Sequence, residues 1–361
     1  MLKFFCGLIL ALAAVVASCA QASSVLFLNP GTEREAFWVS YSQFMQAAAD
    51  ELGMELRVKY SERVAETTIQ QARDALQGPI RPDYLVFVNE LYVAPEILRL
   101  AQGSGVKLFI VNNALTPDQK RLYDSQPGKY PAWLGSLVPN DEEGGYLMLK
   151  ELIRLHGPVP PGQGVDLLAF SGLKITPAAQ LREKGMMRAL AEHPEVHLRQ
   201  LVYGGWTRER AYEQAKMLLA RYPQTSLVWS ANDEMAFGAM QAYSQTGGQP
   251  GKDVLFGAFN TSPEALQALL DRRLSVLLGG HFTLGGWALV ELHDDEQGVD
   301  ISQYGGRDRQ VPALQLIDHV QAKRLLALGA DQDYGVDFKK LSAKGRPTSY
   351  RYPFSLQTVM H

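Results

Sequence analysis

The chain of 361 residues contains two cysteines, Cys6 and Cys19, and both fall within its first nineteen positions. That placement excludes a disulfide framework, a thiolate metal site and a cysteine nucleophile from the remainder of the chain. Histidine is also scarce. Of seven, His193 and His197 form a close pair, but Pro194 between them breaks the helix that would align two imidazoles on a metal. No metal set follows, and no cofactor is expected. The stretch "GGQPGKD" lacks a Ser or Thr after Lys252 and does not follow a strand, so it is not a phosphate loop. A Gly-x-Ser-x-Gly elbow is missing too, which weighs against an exported α/β enzyme. No apolar run beyond the first residues approaches the length of a membrane helix. Charge is nearly balanced, with 35 Lys and Arg against 38 Asp and Glu. Neither nucleic acid nor an anionic membrane surface is implied as a partner.

What is present begins with "MLKFFCGLILALAAVVASCAQA": a basic Lys3, an apolar run from Phe4 to Ala17, and small residues ending at Ala22. This is the pattern of a secretory leader, residues 1–22, and it directs the chain to the periplasm. Val16-Ala17-Ser18-Cys19 also has the form of a lipoprotein-processing site. Cleavage after Ala22 is the preferred reading, because the first strand starts near Val25 and would leave a lipid on Cys19 almost no tether. Loss of Lys3 with the leader leaves 34 basic and 38 acidic residues, a net charge of −4.

Further along, short β-branched and aromatic runs alternate with longer helical patterns, the signature of βαβ units and parallel sheets. Strands are expected at Val25–Leu28, Leu56–Tyr60, Tyr84–Val88, Lys107–Val111, Val165–Phe170, Leu198–Tyr203, Ser226–Ser230 and Val254–Phe259. Phe37, Tyr41, Phe44, Met45, Ala48 and Leu52 form a buried stripe at helical spacing, with Trp38 off it. The series breaks once, at Pro139-Asn140-Asp141. Four strand–helix units precede the break and four follow it. The fold class is therefore α/β, with two doubly wound parallel-sheet lobes joined by a multi-strand hinge. The boundaries are 23–138 for the first lobe, completed by about 280–335, and 139–279 for the second. Residues 336–361 are an unassigned extension, and Asp294-Asp295-Glu296 reads as a solvated helix end.

The order of "RPDYLVFV", "GVKLFIVNN", "GSLVPNDEEGGYLM", "LREKGMMRALAEHPEVHL", the run from Gly204 to Tyr243 and "FGAFNTSPEALQALLDRRLSV" is distinctive. Over about residues 25 to 300 it resembles the periplasmic binding proteins of the ribose- and galactose-binding type, including the autoinducer-2 receptors. The resemblance implies a hinged pair of lobes that closes on a small polar solute without performing chemistry. Ligands of open parallel sheets lie beyond the carboxyl ends of the strands, where polar side chains meet hydroxyls and aromatic faces cover apolar surface.

The resemblance carries over to particular positions. Asn232 matches a ligand-binding Asn, although Asn is also a favoured helix cap. Arg182, three residues before Gly185, matches an Arg whose fork of donors grips vicinal oxygens, against the plainer reading of a solvated helix residue. Asn112, followed by Asn113, and Asn260 stand where many relatives carry Asp. They imply a ligand offering an acceptor, or they are turn formers. Trp206 matches an aromatic over the solute, and Trp38 is preferred to Phe37 because Phe37 belongs to the buried stripe. Asn29 ends the first strand and is a further candidate, while His281 stands near a position where relatives carry Gln.

Three function classes follow. The first is a monomeric binding protein that presents a sugar-like solute to an ABC permease. A sensory receptor presenting a small signal to a membrane sensor is the second. An exported enzyme is the third, disfavoured by the missing nucleophile, metal set and phosphate loop. On the leader reading, mass spectrometry of the mature chain should place Ser23 at its N-terminus. Diacylglycerol on Cys19 would contradict that reading.

Overall fold

In the computed structural model the described residues are 22–125 and 128–360. The leader up to Gln21, with Cys19, lies outside them. Strands β1 (Ser24–Asn29), β2 (Glu55–Tyr60), β3 (Tyr84–Phe87), β4 (Lys107–Val111) and β5 (Trp133–Pro139) come first. Helices α1 (Ala36–Leu52), α2 (Ala65–Gln77), α3 (Ala94–Leu100) and α4 (Pro117–Asp124) connect them. After helix α5 (Asp141–His156) come β6 (Val165–Ser171), β7 (Val196–Tyr203), β8 (Thr225–Ser230), β9 (Leu255–Phe259) and β10 (Val276–Gly279). Between these run α6 (Pro177–Ala191), α7 (Arg208–Arg221), α8 (Asp233–Gln245) and α9 (Pro263–Leu270). The chain then adds α10 (Leu284–Glu296), β11 (Asp308–Val311), β12 (Gln315–Leu316) and α11 (His319–Asp331).

Two six-stranded sheets result, ordered β11-β5-β4-β3-β1-β2 and β12-β10-β9-β8-β6-β7. Every pairing is parallel except β10 with the short β12. The sequence shows why. Strands β3 and β10 are buried along their whole length, as central parallel strands with helices on both faces must be. Strand β2 alternates exposed and half-buried residues, as befits a sheet edge. Each sheet has its strand-order switch beside β1 or β6, so the carboxyl ends of both sheets offer crevices to one another.

Chain passes between the sheets at three places: after β5, after β10, and between β11 and β12. The sequence reading assigned 280–335 to the first lobe, and this needs amendment. Helix α10 packs on α1 and β11 extends the first sheet, but β12 pairs with β10 and α11 packs on α9. Two residues of antiparallel pairing carry no periodicity that a sequence could reveal.

The described part of the extension, residues 336–360, lies across the first lobe. Phe338 meets Phe44 and Trp287 at ring distances of 5.4 and 5.8 Å, and Phe354 stacks on Trp287 at 5.4 Å. Beneath it Asp294 is fully buried, accepting hydrogen bonds from Ser342 Oγ, the Ala343 backbone N–H (2.6 Å) and Tyr352 Oη (2.8 Å). Asp295 holds Lys107 Nζ at 2.6 Å, and Glu296 accepts from Ser23 Oγ at 2.9 Å. The acidic end of α10 is therefore an anchor and not a solvated helix end. Its partners lie tens of residues away or more, out of reach of local pattern.

Helices α5 and α6 touch backbone to backbone. A Cβ on Gly185 would stand 1.8 Å from the Glu142 carbonyl oxygen, and one on Gly145 would stand 2.0 Å from that of Arg182. Only glycine permits the approach, which brings Arg182 over Asp141. Overpacking of this kind costs about 1–3 kcal/mol. Gly185→Ala should lower the unfolding free energy by roughly that amount in urea titrations. An unchanged midpoint would show that the helices part without cost.

Candidate functional site

Between the carboxyl ends of the two sheets lies a narrow cleft with a cavity of about 40 Å³. The first lobe lines it with Glu35, Phe37, Trp38, Arg63, Glu90, Asn112 and Asn113, and the second with Thr176, Ala178, Arg182, Trp206, Asn232 and Asn260, while His281 stands at a crossing. Seven of the eight side chains expected from the sequence thus meet here. Asn29 does not. It is fully buried, with Nδ2 donating to the Trp38 carbonyl (3.2 Å) and Ser42 Oγ (3.0 Å), and Oδ1 accepting from the Gly31 N–H (2.9 Å). Its work is to hold the loop after β1 against α1.

The aromatic assignment also changes. Trp38, expected off the buried stripe, is 2% exposed and covered by Gly31, where a Cβ would come within 2.1 Å of the indole. Phe37, expected within the stripe, is half-buried and stacks on His281 at 4.5 Å. Both border the cleft, and Phe37 presents its ring edge-on to Trp38 at 4.9 Å. Helical spacing admits either residue to the stripe, and the flat approach of the Gly31 loop decides between them.

Arg182 sits at the centre. Nε donates to Asp141 Oδ1 (2.8 Å), Nη1 to the Ala231 carbonyl (2.7 Å) and Nη2 to His281 Nε2 (3.2 Å), with the guanidinium 4.2 Å from the Phe259 ring centre. It is buried, not solvated. Burial raises the Asp141 carboxyl above its ordinary range against the pull of Arg182. Because His281 must accept from Arg182, its proton belongs on Nδ1. Burial first, and the guanidinium second, push its pKa well below the usual histidine value. The ring stays neutral, and Nδ1–H has no partner among the described residues.

Asn232 is both cap and tether. Oδ1 accepts from the Met235 N–H of α8 (2.9 Å), and Nδ2 donates to the Trp206 carbonyl (3.0 Å). That second bond helps hold Trp206 in a left-handed conformation, φ 70°, which is costly for a bulky residue. The indole lies on Gly172, where a Cβ would come within 2.1 Å of it. Asn112 and Asn260 are left-handed as well, φ 64° and 85°, conformations that Asn tolerates best after Gly. Turn forming and bordering the cleft coincide at both positions. Asn260 Nδ2 is engaged with Asp233 Oδ1 at 2.8 Å, whereas Asn112 Oδ1 is buried without a partner among the described residues. Asn113 Oδ1 reaches across the cleft to the Ala178 N–H at the start of α6, 3.1 Å away. Gln180 Nε2 donates to Tyr92 Oη (3.1 Å), and the Arg63 guanidinium stands 5.8 Å from the Trp206 ring centre, so three contacts join the lobes across the opening.

Glu35, Arg63, Glu90 and Thr176 were not singled out in the sequence. They stand at the start of α1, on the turn after β2, beyond β3 and before α6, where charged or hydroxyl residues ordinarily face water. The strand-end rule reaches Arg63 and Glu90 in retrospect, since each follows a parallel strand by three residues.

With this geometry in view, the comparisons with known proteins are direct. The sequence model of the periplasmic binding protein domain matches residues 25–294, and the chain belongs to that family. It is 25% identical over 270 residues to the ribose import binding protein RbsB of Escherichia coli (strain K12), covering 74% of this chain and 83% of that one. The galactofuranose-binding protein YtfQ of the same organism is 22% identical over 274 residues, 72% and 79% of the two chains. Among solved structures, a periplasmic sugar-binding protein from Pseudomonas fluorescens is 62% identical, with a TM-score of 0.87 over 94% of this chain and all of that one. No helix among the described residues is long and apolar enough to cross a membrane, and no group of three metal-ligating side chains occurs among them.

Asp233 supplies a test of the site's support. Burial pushes its carboxyl up to about 6, against hydrogen bonds from Ser262 and Asn260 that pull it down. An unfolded Asp titrates near 3.9. Between those values only the folded state keeps the proton, so this group's contribution weakens the fold as pH rises from about 4 to about 6, and the full penalty stands above that. Asp233→Asn lacks the titration. Its stability relative to wild type should therefore rise from pH 4 to pH 7 by on the order of 2–3 kcal/mol in urea unfolding. A difference constant with pH would refute it.

Proposed function

We propose that this protein binds a small sugar or sugar-like solute in the cleft, closes on it, and presents it to an ABC permease. It acts as a monomer in the periplasm, released from its leader and without a lipid anchor. The observation that carries the reading is a set of buried polar atoms left without partners in the cleft. Trp38 Nε1, Asn112 Oδ1, Thr176 Oγ1, Trp206 Nε1 and His281 Nδ1 are buried, and none has a hydrogen-bonding partner among the described residues. Buried polar groups without partners cost about 1–3 kcal/mol each. Three N–H donors, an amide oxygen and a hydroxyl that can do either suit a ligand whose own groups donate and accept, as sugar hydroxyls do. Aromatic faces at Phe37 and Trp206 suit the apolar C–H surface of a sugar ring. The ribose, galactofuranose and sugar binding stated for the relatives supports the same class.

Closure follows from the division of these atoms between the lobes. A ligand touching Asn112 and Trp206 at once gains its full set of contacts only when the lobes meet, and so shifts the population toward the closed form. Calorimetry against pentoses, hexoses and their furanose-rich members should find a micromolar or tighter ligand. Small-angle scattering at saturation should show a smaller radius of gyration than the empty protein. Failure of every sugar to bind would remove the reading, and binding without compaction would remove the hinge.

A further inference from the structure

The first-lobe wall of the cleft carries a charged cluster whose make-up narrows the ligand. Arg63 donates Nη1 to Glu90 Oε1 and Nη2 to Glu35 Oε1. The three residues come from separate places: the turn after β2, the segment beyond β3 and the residue that caps α1. Arg63 is itself left-handed, φ 57°, so the backbone is bent to deliver it between the two carboxylates. All three side chains are largely buried, at 19%, 19% and 4% exposure for Arg63, Glu35 and Glu90, and all three line the cleft.

Two features of this cluster bear on what enters. Each carboxylate spends one oxygen on Arg63, and the other oxygen of each makes no hydrogen bond among the described residues. Two acceptors thus remain beside the cleft on the same wall as Asn112. The charges, moreover, do not balance in favour of an anion. Two carboxylates share the single guanidinium of Arg63. Arg182 is matched by Asp141, with its remaining donors on the Ala231 carbonyl and His281. Both guanidiniums that line the cleft are committed to protein partners, so neither offers the open fork that binds carboxylate or phosphate. An acidic ligand would bury its charge next to surplus carboxylate with no cation to meet it, the arrangement that desolvation penalises most.

Resting on the proposed sugar-binding function, we infer that Glu35 and Glu90 are the hydroxyl-accepting groups of this cleft and that they restrict the ligand to polyols without acidic groups. Arg63 is the positioning residue that fixes both acceptors and limits their mutual repulsion.

The test is calorimetry at pH 7.5 with neutral aldopentoses and aldohexoses alongside the uronic acids of the same configuration. The best neutral sugar should bind at least about thirtyfold more tightly than its uronate, the range expected when a charge is buried unpaired. Glu35→Gln and Glu90→Gln should each weaken the neutral sugar about tenfold or more, by loss of a charge-assisted hydrogen bond. Each should also narrow its gap to the uronate, a change that a purely structural role would not produce. Melting temperatures of the empty variants check folding. Glu35, the more exposed of the pair, keeps the test available if Glu90→Gln does not fold. A uronate that binds as tightly as its neutral counterpart, or full affinity in the folded Gln variants, would overturn this inference while leaving sugar binding intact. Absence of binding by every neutral and acidic sugar would instead overturn the function on which it rests.

Discussion

The buried pairing of Arg182 with Asp141 is the interaction on which the cleft depends. Asp141 begins the helix that follows the first passage between lobes, and Arg182 extends from α6 to the strand end at Ala231 and to His281 at the second passage. One side chain thus joins two passages and a strand terminus. Removing two ions from water is expensive, and a pair of this sort contributes little net stability unless its remaining donors are also met. Here they are met, by a carbonyl and a neutral imidazole. The back-to-back contact of Gly145 and Gly185 with α6 and α5 supplies the geometry, so two residues without side chains determine where the guanidinium of Arg182 stands.

Much of the fold is legible in the sequence because parallel sheets advertise themselves. Buried strands such as "YLVF" and "KLFIV" are continuous apolar runs, and the helices between them follow a simple period. Asn112 and Asn260 directly follow such runs and Asn232 comes two residues after one, while Trp206 was reached through the family resemblance alone. Glu35, Arg63 and Glu90 were not, because isolated charges in loops look the same whether they face water or one another. Only the three-dimensional meeting of the β1, β2 and β3 loops tells the two apart. The same blindness applies to Asp294, whose hydroxyl and backbone donors come from the far end of the chain. Trp38 and Phe37 exchanged roles for a subtler reason: periodicity locates a face of a helix to within one residue, and at its first turn the neighbouring loop chooses.

Several cleft residues stand in conformations that a free chain avoids. Arg63, Asn112, Trp206 and Asn260 all have positive φ, and each follows a parallel strand within a few residues. Such strain persists only where surrounding bonds over-determine it. The Trp206 carbonyl is held by Asn232, Arg63 by two carboxylates, and the Asn260 side chain by Asp233. The result is a wall whose polar groups are aimed before any ligand arrives, which spares the ligand the entropy of ordering them.

The C-terminal segment has a mechanical corollary. Helix α11 is docked on α9 of the second lobe, while Phe338, a few residues later, is lodged between Phe44 and Trp287 of the first. Residues 332–337 between them form a tether whose fully extended reach is only about 20 Å. Tyr334 shortens it further by resting 4.8 Å from the Phe44 ring. Beyond the three passages, the lobes are therefore linked a fourth time, beside the second passage, where Tyr334 lies 6.3 Å from the ring of Phe282. A short link so close to a passage thickens the hinge itself, so the strands that bend there carry a packed aromatic cluster with them.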